Sequence, residues 1–366
     1  TETFSMQYRN LAAIHGGRGY IAFTKQVEGG NVFAIQGDVR VAGNASAQNL
    51  LLHEQLKALP SKRTRLSVLP GGSIEATCQT MPQSGANCDM CIYSNATVTI
   101  RNDADAECLW GHDAERTPIE VKRFGLFDCR APLGGSSKIA FAGEGEVRLA
   151  DTGTRATSDY PVVFDGVTFA VDRFAAGHPV ILKGSPTWAS KADWTYSLGE
   201  VAMPAGETLT VDTGDLDDAS VAHSVRIDSP LAADRVVKAG VGTLTLGSAG
   251  NRIGALRVDA GTLDISGAQS FGSLDFAAGT ALRLGGKDAH ISIASGGLDF
   301  TRFTIEVAPS AFSGMKSWTT VLTVPEGVAA SGTPVFASNV KVRVVEGETG
   351  TSYQVKCATG FMTVIR

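Results

Sequence analysis

The 366-residue sequence is poor in aromatic and charged residues, which make up 7% and 19% of the chain. Its net charge of −5 gives no electrostatic basis for binding nucleic acid, so we expect no nucleic-acid partner. It contains no apolar run long enough to span a membrane as a helix. It also lacks a phosphate-binding loop, a dinucleotide fingerprint and a Ser-His-Asp signature. No motif of these kinds therefore points to a particular enzyme.

Glycine, in contrast, is abundant, with 42 residues. Glycine placed between short apolar stretches is typical of tight turns that connect short strands. Such stretches lie at residues 96–101, 146–150 and 162–169, and many more follow. We therefore expect an all-β protein.

A short motif recurs in the second half of the chain. Gly-Thr-Leu occurs at residues 242–244 and again at 261–263, and a related segment starts at Gly279. A second series starts at Gly254 and Gly272. The period is about eighteen residues and holds two strands and two glycine turns, which is typical of a solenoid with one coil per repeat.

Stacking these repeats in parallel predicts which side chains share a column. We expect an inward apolar column, outward polar positions in the same strands, and Arg257 beside Asp275 in the second series. The inward residues are Leu244, Leu246, Leu263, Ile265, Leu282 and Leu284, and the outward ones are Thr245, Asp264 and Arg283. A β-sandwich of hairpins is the alternative, but hairpins do not require an even repeat.

The same stretch resembles a known bacterial repeat. The residues that carry the likeness are Lys238, Gly240, Gly242, Thr243, Leu244, Leu246, Asn251, Gly254, Val258, Gly261, Thr262 and Leu263. They are similar to the autotransporter-associated β-strand repeat, a right-handed parallel β-helix of secreted and surface proteins. The likeness is clear over about 30 residues and weaker from 206 to 285. It implies an extracellular or cell-surface location, and we expect no membrane β-barrel, because residues 301–366 instead resemble the terminal β segment that follows such repeats.

The open ends of a solenoid are exposed sheet edges and need covers. Residues 46–59 predict a helix that covers the N-terminal end, with Ser46 as its cap and Pro60 after its last turn. Its apolar face is formed by Leu50, Leu51, Leu52, Leu56 and Leu59. Residues 301–366 predict a C-terminal β cap with strands at 303–307, 319–324, 341–345 and 353–357.

These elements predict three regions. Residues 1–64 hold the N-terminal strands and the capping helix, residues 65–300 the solenoid, and residues 301–366 the C-terminal cap. A cysteine-rich loop region at 78–130 interrupts the solenoid. The resulting fold class is an all-β, right-handed parallel β-helix with a short N-terminal capping helix and a C-terminal β cap.

Six cysteines are present, and five of them fall in the loop region. They are Cys78, Cys88, Cys91, Cys108, Cys129 and Cys357. An even number with scattered spacing predicts disulfides in an oxidising compartment, with the pairing left open. The alternative is a zinc site of Cys88, Cys91, Cys108 and Cys129, although a second closely spaced pair is missing.

A cluster of carboxylates is the candidate metal site. Asp212, Asp215, Asp217 and Asp218 fall within seven residues, and clustered oxygens are the ligands that calcium prefers. The alternative is a solvated turn. Two Asp-Thr-Gly tripeptides, at residues 151–153 and 212–214, match the aspartic-protease pattern, but Asp215 follows the second where that family has Ser or Thr.

Two further groups of residues are candidates for carbohydrate chemistry. His112, Lys122 and Arg123 could supply the base and the cations that a lyase needs to remove a proton next to a carboxylate. Trp188, Trp194 and Tyr196 could form an aromatic platform for a sugar ring. The alternatives are a polar loop and a locally packed loop.

Three functions remain open. The first, which we favour over an enzyme, is a secreted or cell-surface structural or adhesive protein. It would form homo-oligomers or filaments by strand addition, with residues 1–45 as the donor. The second is a β-helix polysaccharide lyase or hydrolase, and the third is an adhesin that binds an extracellular glycan. No cofactor other than calcium is indicated.

Overall fold

The structure is a computed structural model. It describes residues 10–14, 21–23, 27–28, 32–36, 38–52, 64–80, 88–101, 108–109, 119–130, 132–134, 139–152, 161–174, 180–308, 311, 317–336 and 340–357. The described residues form 38 strands and no α-helix. They contain no helix that could cross a membrane. The chain forms two compact units, residues 1–188 and 189–366.

The N-terminal unit consists of short strands joined by tight turns. The strands are β1 (Asn10–Ile14), β2 (Ile21–Phe23), β3 (Val27–Glu28), β4 (Val32–Gln36), β5 (Asp38–Val41), β6 (Asn44–Leu52), β7 (Thr64–Val68), β8 (Ser73–Thr80), β9 (Cys88–Ile92), β10 (Thr97–Ile100), β11 (Cys108–Leu109), β12 (Ile119–Val121), β13 (Leu126–Cys129), β14 (Leu133–Gly134), β15 (Ile139–Gly143), β16 (Glu146–Leu149), β17 (Val162–Asp165), β18 (Thr168–Val171), β19 (Val180–Lys183) and the start of β20 (Thr187–Ser190).

Two parallel series of strands run through this unit. One pairs β1, β4, β6, β8, β10, β13, β16 and β18 in that order. The other pairs β2, β5, β7, β9, β12, β15, β17 and β19. Every one of these pairs is parallel, and parallel neighbours need a connection that returns the chain to the starting side. The arrangement is compatible with the predicted β-solenoid and differs from a sandwich of antiparallel hairpins.

Aromatic side chains stack along the interior of the N-terminal unit. The ring centroids of Phe127 and Phe141 are 5.2 Å apart, and those of Phe164 and Phe169 are 3.8 Å apart. Phe169 lies 5.2 Å from Trp188. These rings therefore pack against one another both within and between the two series of strands, and all five are buried.

The predicted N-terminal helix is wrong. Residues 44–52 form β6, which pairs in parallel with β8 on one side and with β4 on the other. Backbone groups that are hydrogen-bonded to two neighbouring strands cannot form the bonds of a helix. Leu50 is buried as an inward strand residue. Residues 53–59, the rest of the predicted helix, lie outside the described residues.

Residues 1–45 also differ from the expectation that they act as a strand donor. The described strands of this segment pair within the same chain: β1 with β4, β2 with β5, and β3 with β6. They form the first turns of the N-terminal unit.

The C-terminal unit has the same construction. It contains the end of β20 and the strands β21 (Trp194–Tyr196), β22 (Val201–Ala202), β23 (Thr208–Asp215), β24 (Ser224–Ile227), β25 (Leu231–Ala239), β26 (Thr243–Leu246), β27 (Arg252–Val258), β28 (Thr262–Ile265), β29 (Ala268–Phe276), β30 (Thr280–Leu284), β31 (His290–Ile293), β32 (Gly297–Asp299), β33 (Phe303–Val307), β34 (Thr319–Pro325), β35 (Ala329–Ser331), β36 (Val335–Phe336), β37 (Val340–Gly347) and β38 (Gly350–Cys357).

The predicted repeat is confirmed in register. Leu244 pairs with Leu263, which pairs with Leu282, and all three are buried. Leu246, Ile265 and Leu284 form the next inward column. The alternate positions Thr245, Asp264 and Arg283 are likewise in register, and Arg257 pairs with Asp275 as predicted. The spacing of the glycine turns was therefore sufficient to predict which strands stack.

Antiparallel pairing joins the parallel order in residues 317–357, where β34, β35 and β36 still pair in parallel with the preceding coil. Here β38 pairs antiparallel with β34, and β37 pairs antiparallel with β38. All four strands predicted in residues 301–366 are present, as β33, β34, β37 and β38. The boundaries predicted at residues 64 and 300 remain predictions.

Two turn glycines provide a test of coil stacking. Gly261 and Gly279 both have positive φ, +67° and +82°. At Gly261 an added Cβ would lie 2.7 Å from Nζ of Lys238 and would overlap the carbonyl oxygen of Gly242, whereas at Gly279 no atom lies within 4 Å. We expect Gly279→Ala to lower the free energy of unfolding by about 1–2 kcal/mol, the cost of left-handed backbone. Gly261→Ala should cost about 1–3 kcal/mol more, because packed atoms must move.

Urea unfolding of both variants, followed by circular dichroism, measures these losses. Equal losses would show that the coil-to-coil contact at Gly261 is unimportant.

Candidate functional site

The predicted aromatic platform is wrong, because its members belong to the core. Trp188 and Tyr196 are fully buried, and Trp194 is 6% exposed. Trp194 and Tyr196 occupy the alternate inward positions of β21, and the Trp194 indole N–H donates to Oγ of Ser190 at 3.2 Å. None of the three rings can stack on a sugar from solvent.

The carboxylates of residues 212–218 do not converge on one point. Asp212 accepts the N–H of Gly214 at 2.9 Å, and Asp217 is paired with Lys191 at 2.6 Å. Asp218 accepts both the N–H and the hydroxyl of Ser220, which lowers its pKa. The described residues contain no group of acidic, His or Cys side chains that could hold a metal ion. The geometry therefore does not support the predicted calcium site.

Asp215 is instead tied to a histidine that sequence reasoning did not single out. Its Oδ2 lies 2.9 Å from Nε2 of His223, and this hydrogen bond lowers the pKa of the carboxyl. Nδ1 of His223 lies 3.6 Å from the carboxylate of Asp193. The bridge between Gly214 and Ala222 brings Asp215 and His223 together. These contacts fold residues 216–223 back onto the end of β23, so Asp212 and Asp215 lie on a strand and Asp217 and Asp218 in the turn that follows it. The alternative interpretation of the acidic cluster as a turn therefore agrees with the structure for Asp217 and Asp218.

The two Asp-Thr-Gly tripeptides have structural roles of their own. Asp151 forms an ion pair with Arg173, and Thr152 is buried. Thr213 is also buried, and its hydroxyl donates to the carbonyl of Ala239 at 3.1 Å.

Lys238 is a fully buried lysine in the C-terminal unit. Its ammonium donates to the Thr213 hydroxyl at 2.7 Å and to the carbonyl oxygens of Ala239 and Gly240 at 3.1 and 2.5 Å. Burial lowers its pKa to about 8, and the charge of Asp212 opposes that shift. In the sequence it stood out only as part of the repeat motif. In the structure these hydrogen bonds join the turn of one coil to the preceding coil.

The predicted lyase cluster is described in part. Lys122 and Arg123 lie in the turn between β12 and β13, and Lys122 is paired with Glu120. His112 lies outside the described residues, so the proximity of the three remains a prediction.

The cysteines that the structure describes do not support disulfides. Cys91 is a buried thiol between the inward residues Met90 and Ile92, so it faces the opposite side of its sheet. Cys129 faces inward on β13, which belongs to the other series of strands, and it is not part of a disulfide either. The two thiols therefore cannot share a disulfide or a zinc ion. Burial and the neighbouring Glu120 raise the pKa of Cys91 to about 11. The side chains of Cys78, Cys88, Cys108 and Cys357 lie outside the described part.

An open groove of about 580 Å³ runs along the C-terminal unit. Small residues such as Gly254 and Gly272 form much of its lining, which also includes two charged residues, Asp234 and Arg252. Asp234 accepts the N–H of Gly206, and Arg252 is paired with Glu200. Both charges are thus engaged by the protein.

The stacked turns of the N-terminal unit are the second notable surface. Gly71, Asn95 and Phe124 all have positive φ, between +57° and +79°. The N–H of Gly71 donates to the carbonyl of Asn95 at 3.1 Å, and the N–H of Asn95 to that of Phe124 at 3.0 Å. The three turns therefore stack with equivalent conformations. Phe124 is 68% exposed and Tyr93 is 37% exposed. Aromatic rings on this surface are therefore accessible to a ligand, unlike those of the buried tryptophans.

The buried ammonium of Lys238 predicts a distinctive pH dependence. Its pKa in the folded state, about 8, lies below its unfolded value of 10.5. Between these pH values the unfolded chain binds the extra proton, so the free energy of unfolding should rise with pH, by at most about 1.4 kcal/mol per pH unit. Lys238→Met should lack this rise. Urea unfolding of both proteins from pH 7 to 10.5 measures the difference, and parallel curves would contradict it.

Comparison with known proteins gives no further guide. No protein-family model, no curated protein and no solved structure matches this chain. The function must be argued from the surfaces described above.

Proposed function

We propose that the chain is a secreted or cell-surface structural and adhesive protein, a right-handed parallel β-helix that assembles with further copies by strand addition. Right-handedness is the general preference of parallel crossover connections. The parallel register of the coils and the likeness of residues 238–263 to the autotransporter-associated repeat support this fold. The proposed location rests on that likeness, since the buried Cys91 thiol removes part of the argument from disulfides.

One observation carries the assembly proposal: β37 is an exposed edge strand. Among the described residues it pairs with β38 on one side and with no strand on the other. Val344 is 51% exposed, and Val342 and Val345 are exposed to 37% and 39%. An eight-residue strand with free backbone groups and exposed apolar side chains is a template for another strand.

The antiparallel segment explains why this edge lies where it does. Strand β38 covers β34, the last parallel strand of its series, and its residues Tyr353 and Val355 are buried. Across the pair, Val344 and Val342 lie opposite Tyr353 and Val355, yet remain exposed. The C-terminal cap thus extends the sheet by one strand beyond the core, and in our proposal a second copy covers it.

The donor is a strand of another copy. The described strands of residues 1–45 already pair in cis, so we assign the accepting edge to β37 and no longer assign the donor to that segment. A contact between two different surfaces of the protein would propagate into a filament, whereas a β37–β37 contact would close as a dimer.

A glycan-binding adhesin is the second candidate. The exposed turn around Phe124 favours it, and this surface is compatible with assembly through β37.

The edge proposal predicts that charge on β37 blocks assembly. The double variant Val342→Lys, Val344→Lys puts two charges in place of the apolar side chains that an added strand would cover, so we expect filaments or oligomers to be lost while the fold is kept. Light scattering after size-exclusion chromatography and negative-stain electron microscopy, at several concentrations, measure the outcome.

The matched control is Val221→Lys, Val241→Lys, which places the same two substitutions at exposed valines elsewhere in the same unit. Assembly that survives the β37 variant, or a wild-type protein that stays monomeric at every concentration, would rule the proposal out.

A further inference from the structure

Phe124 occupies a backbone position that phenylalanine disfavours. Its φ of +64° lies in the left-handed region, where its counterparts in the stacked turns are Gly71 and Asn95. Glycine adopts this conformation freely and asparagine tolerates it, whereas a bulky side chain there is strained. A residue of either type would fit this turn better than Phe124 does.

Packing does not account for the choice. The Phe124 side chain is 68% exposed, so little of its apolar surface is removed from water on folding. Strained backbone and exposed aromatic surface are both unfavourable for folding alone. When they occur together, they point to a role outside folding.

Arg123 supplies a cation beside the ring. Its guanidinium carbon lies 4.8 Å from the ring centroid of Phe124, which is a cation–π contact. Among the described residues no carboxylate lies within ion-pair distance of Arg123, while the adjacent Lys122 is paired with Glu120. The guanidinium edge therefore keeps donors for a ligand, held in place by the ring.

Tyr93 adds a second exposed ring from the preceding coil. Ile92 pairs with Val121, so the following residues, Tyr93 and Lys122, start neighbouring turns. Tyr93 is 37% exposed. Two rings and one guanidinium thus lie on two consecutive stacked turns.

We infer that the surface of Tyr93, Arg123 and Phe124 binds an acidic polysaccharide chain. The apolar face of a pyranose ring matches an exposed aromatic face, and a uronate carboxylate matches the planar donor edge of arginine. The inference rests on the proposed extracellular adhesive function, because a protein outside the cell encounters acidic polysaccharides there. It assigns the adhesive contact to this turn rather than to the buried tryptophans.

The next turn of the stack carries a carboxylate. Val121 pairs with Gly143, so Glu144 lies in the next turn of the stack, and it is exposed. Its charge opposes an anionic ligand. Glu144→Gln should therefore strengthen binding.

The test uses polygalacturonate as the acidic probe and dextran as the neutral one, with affinity electrophoresis and calorimetry on the full chain. Wild type should bind polygalacturonate and not dextran. Phe124→Gly and Arg123→Gln should each weaken binding by about tenfold, as loss of one stacking or bidentate contact implies. Phe124→Gly should keep or raise the free energy of unfolding, because it removes the strained residue. A merely structural role would not give weaker binding with an unchanged or more stable fold.

Arg235→Gln is the control, since Arg235 is an exposed arginine on β25, outside both proposed surfaces. Its binding should equal that of wild type. Failure of wild type to bind polygalacturonate, or unchanged binding by Phe124→Gly, would overturn the inference. The β37 double variant separates the two proposals: it should lose assembly and keep polygalacturonate binding, and Phe124→Gly should do the reverse.

Discussion

The parallel register between successive coils is the constraint on which the rest of the structure depends. Each strand bonds to the equivalent strand of the next coil, so an inward residue always stacks on an inward residue. A slip by one position would turn Leu263 outward and Asp264 inward. The energetic consequence is cooperative, because one coil buries its apolar face only when the next coil is correctly placed. Leu244, Leu263 and Leu282 are therefore a single packing unit rather than three separate contacts.

The same constraint explains the unusual interior of the C-terminal unit. A buried ammonium is tolerated at Lys238 because stacked turns bring one hydroxyl and two carbonyl oxygens to it. Gly261, one coil on, leaves the room that the ammonium needs. The buried ammonium of Lys238 thus depends on both Thr213 and Gly261, which are 48 residues apart in the sequence. Such a site links coils through polar groups, whereas most of the core links them through apolar side chains.

Features that follow from the register of the strands could be predicted from the sequence, whereas other features could not. The glycine turns and their spacing predicted the stacked columns correctly, since every repeat obeys the same geometry. Residues 46–52 were misinterpreted because three consecutive leucines suit a helix face as well as a strand buried between neighbours. The burial of Trp188, Trp194 and Tyr196 could not be predicted, because their strands are too short to show alternation. The exposed aromatic surface at Phe124 could not be predicted, because the sequence does not show which residues have positive φ. The contact between Asp215 and His223 could not be predicted either, because it forms only when the loop between them is folded.

A stacked fold leaves few places where a side chain is free to act on a partner. On the faces of the strands, charges meet neighbours along a strand, as Arg148 does with Glu146 on β16. Both surfaces proposed for function lie elsewhere, one on the turn at Phe124 and the other on the terminal edge strand β37. On β37, Lys341 and Arg343 share one face, while Val342, Val344 and Glu346 share the other. Charges on an edge strand discourage indiscriminate pairing. In our proposal an added strand would meet Lys341, Arg343 and Val345 on one face of this edge and Val342, Val344 and Glu346 on the other, so the charges that limit aggregation would also select the partner.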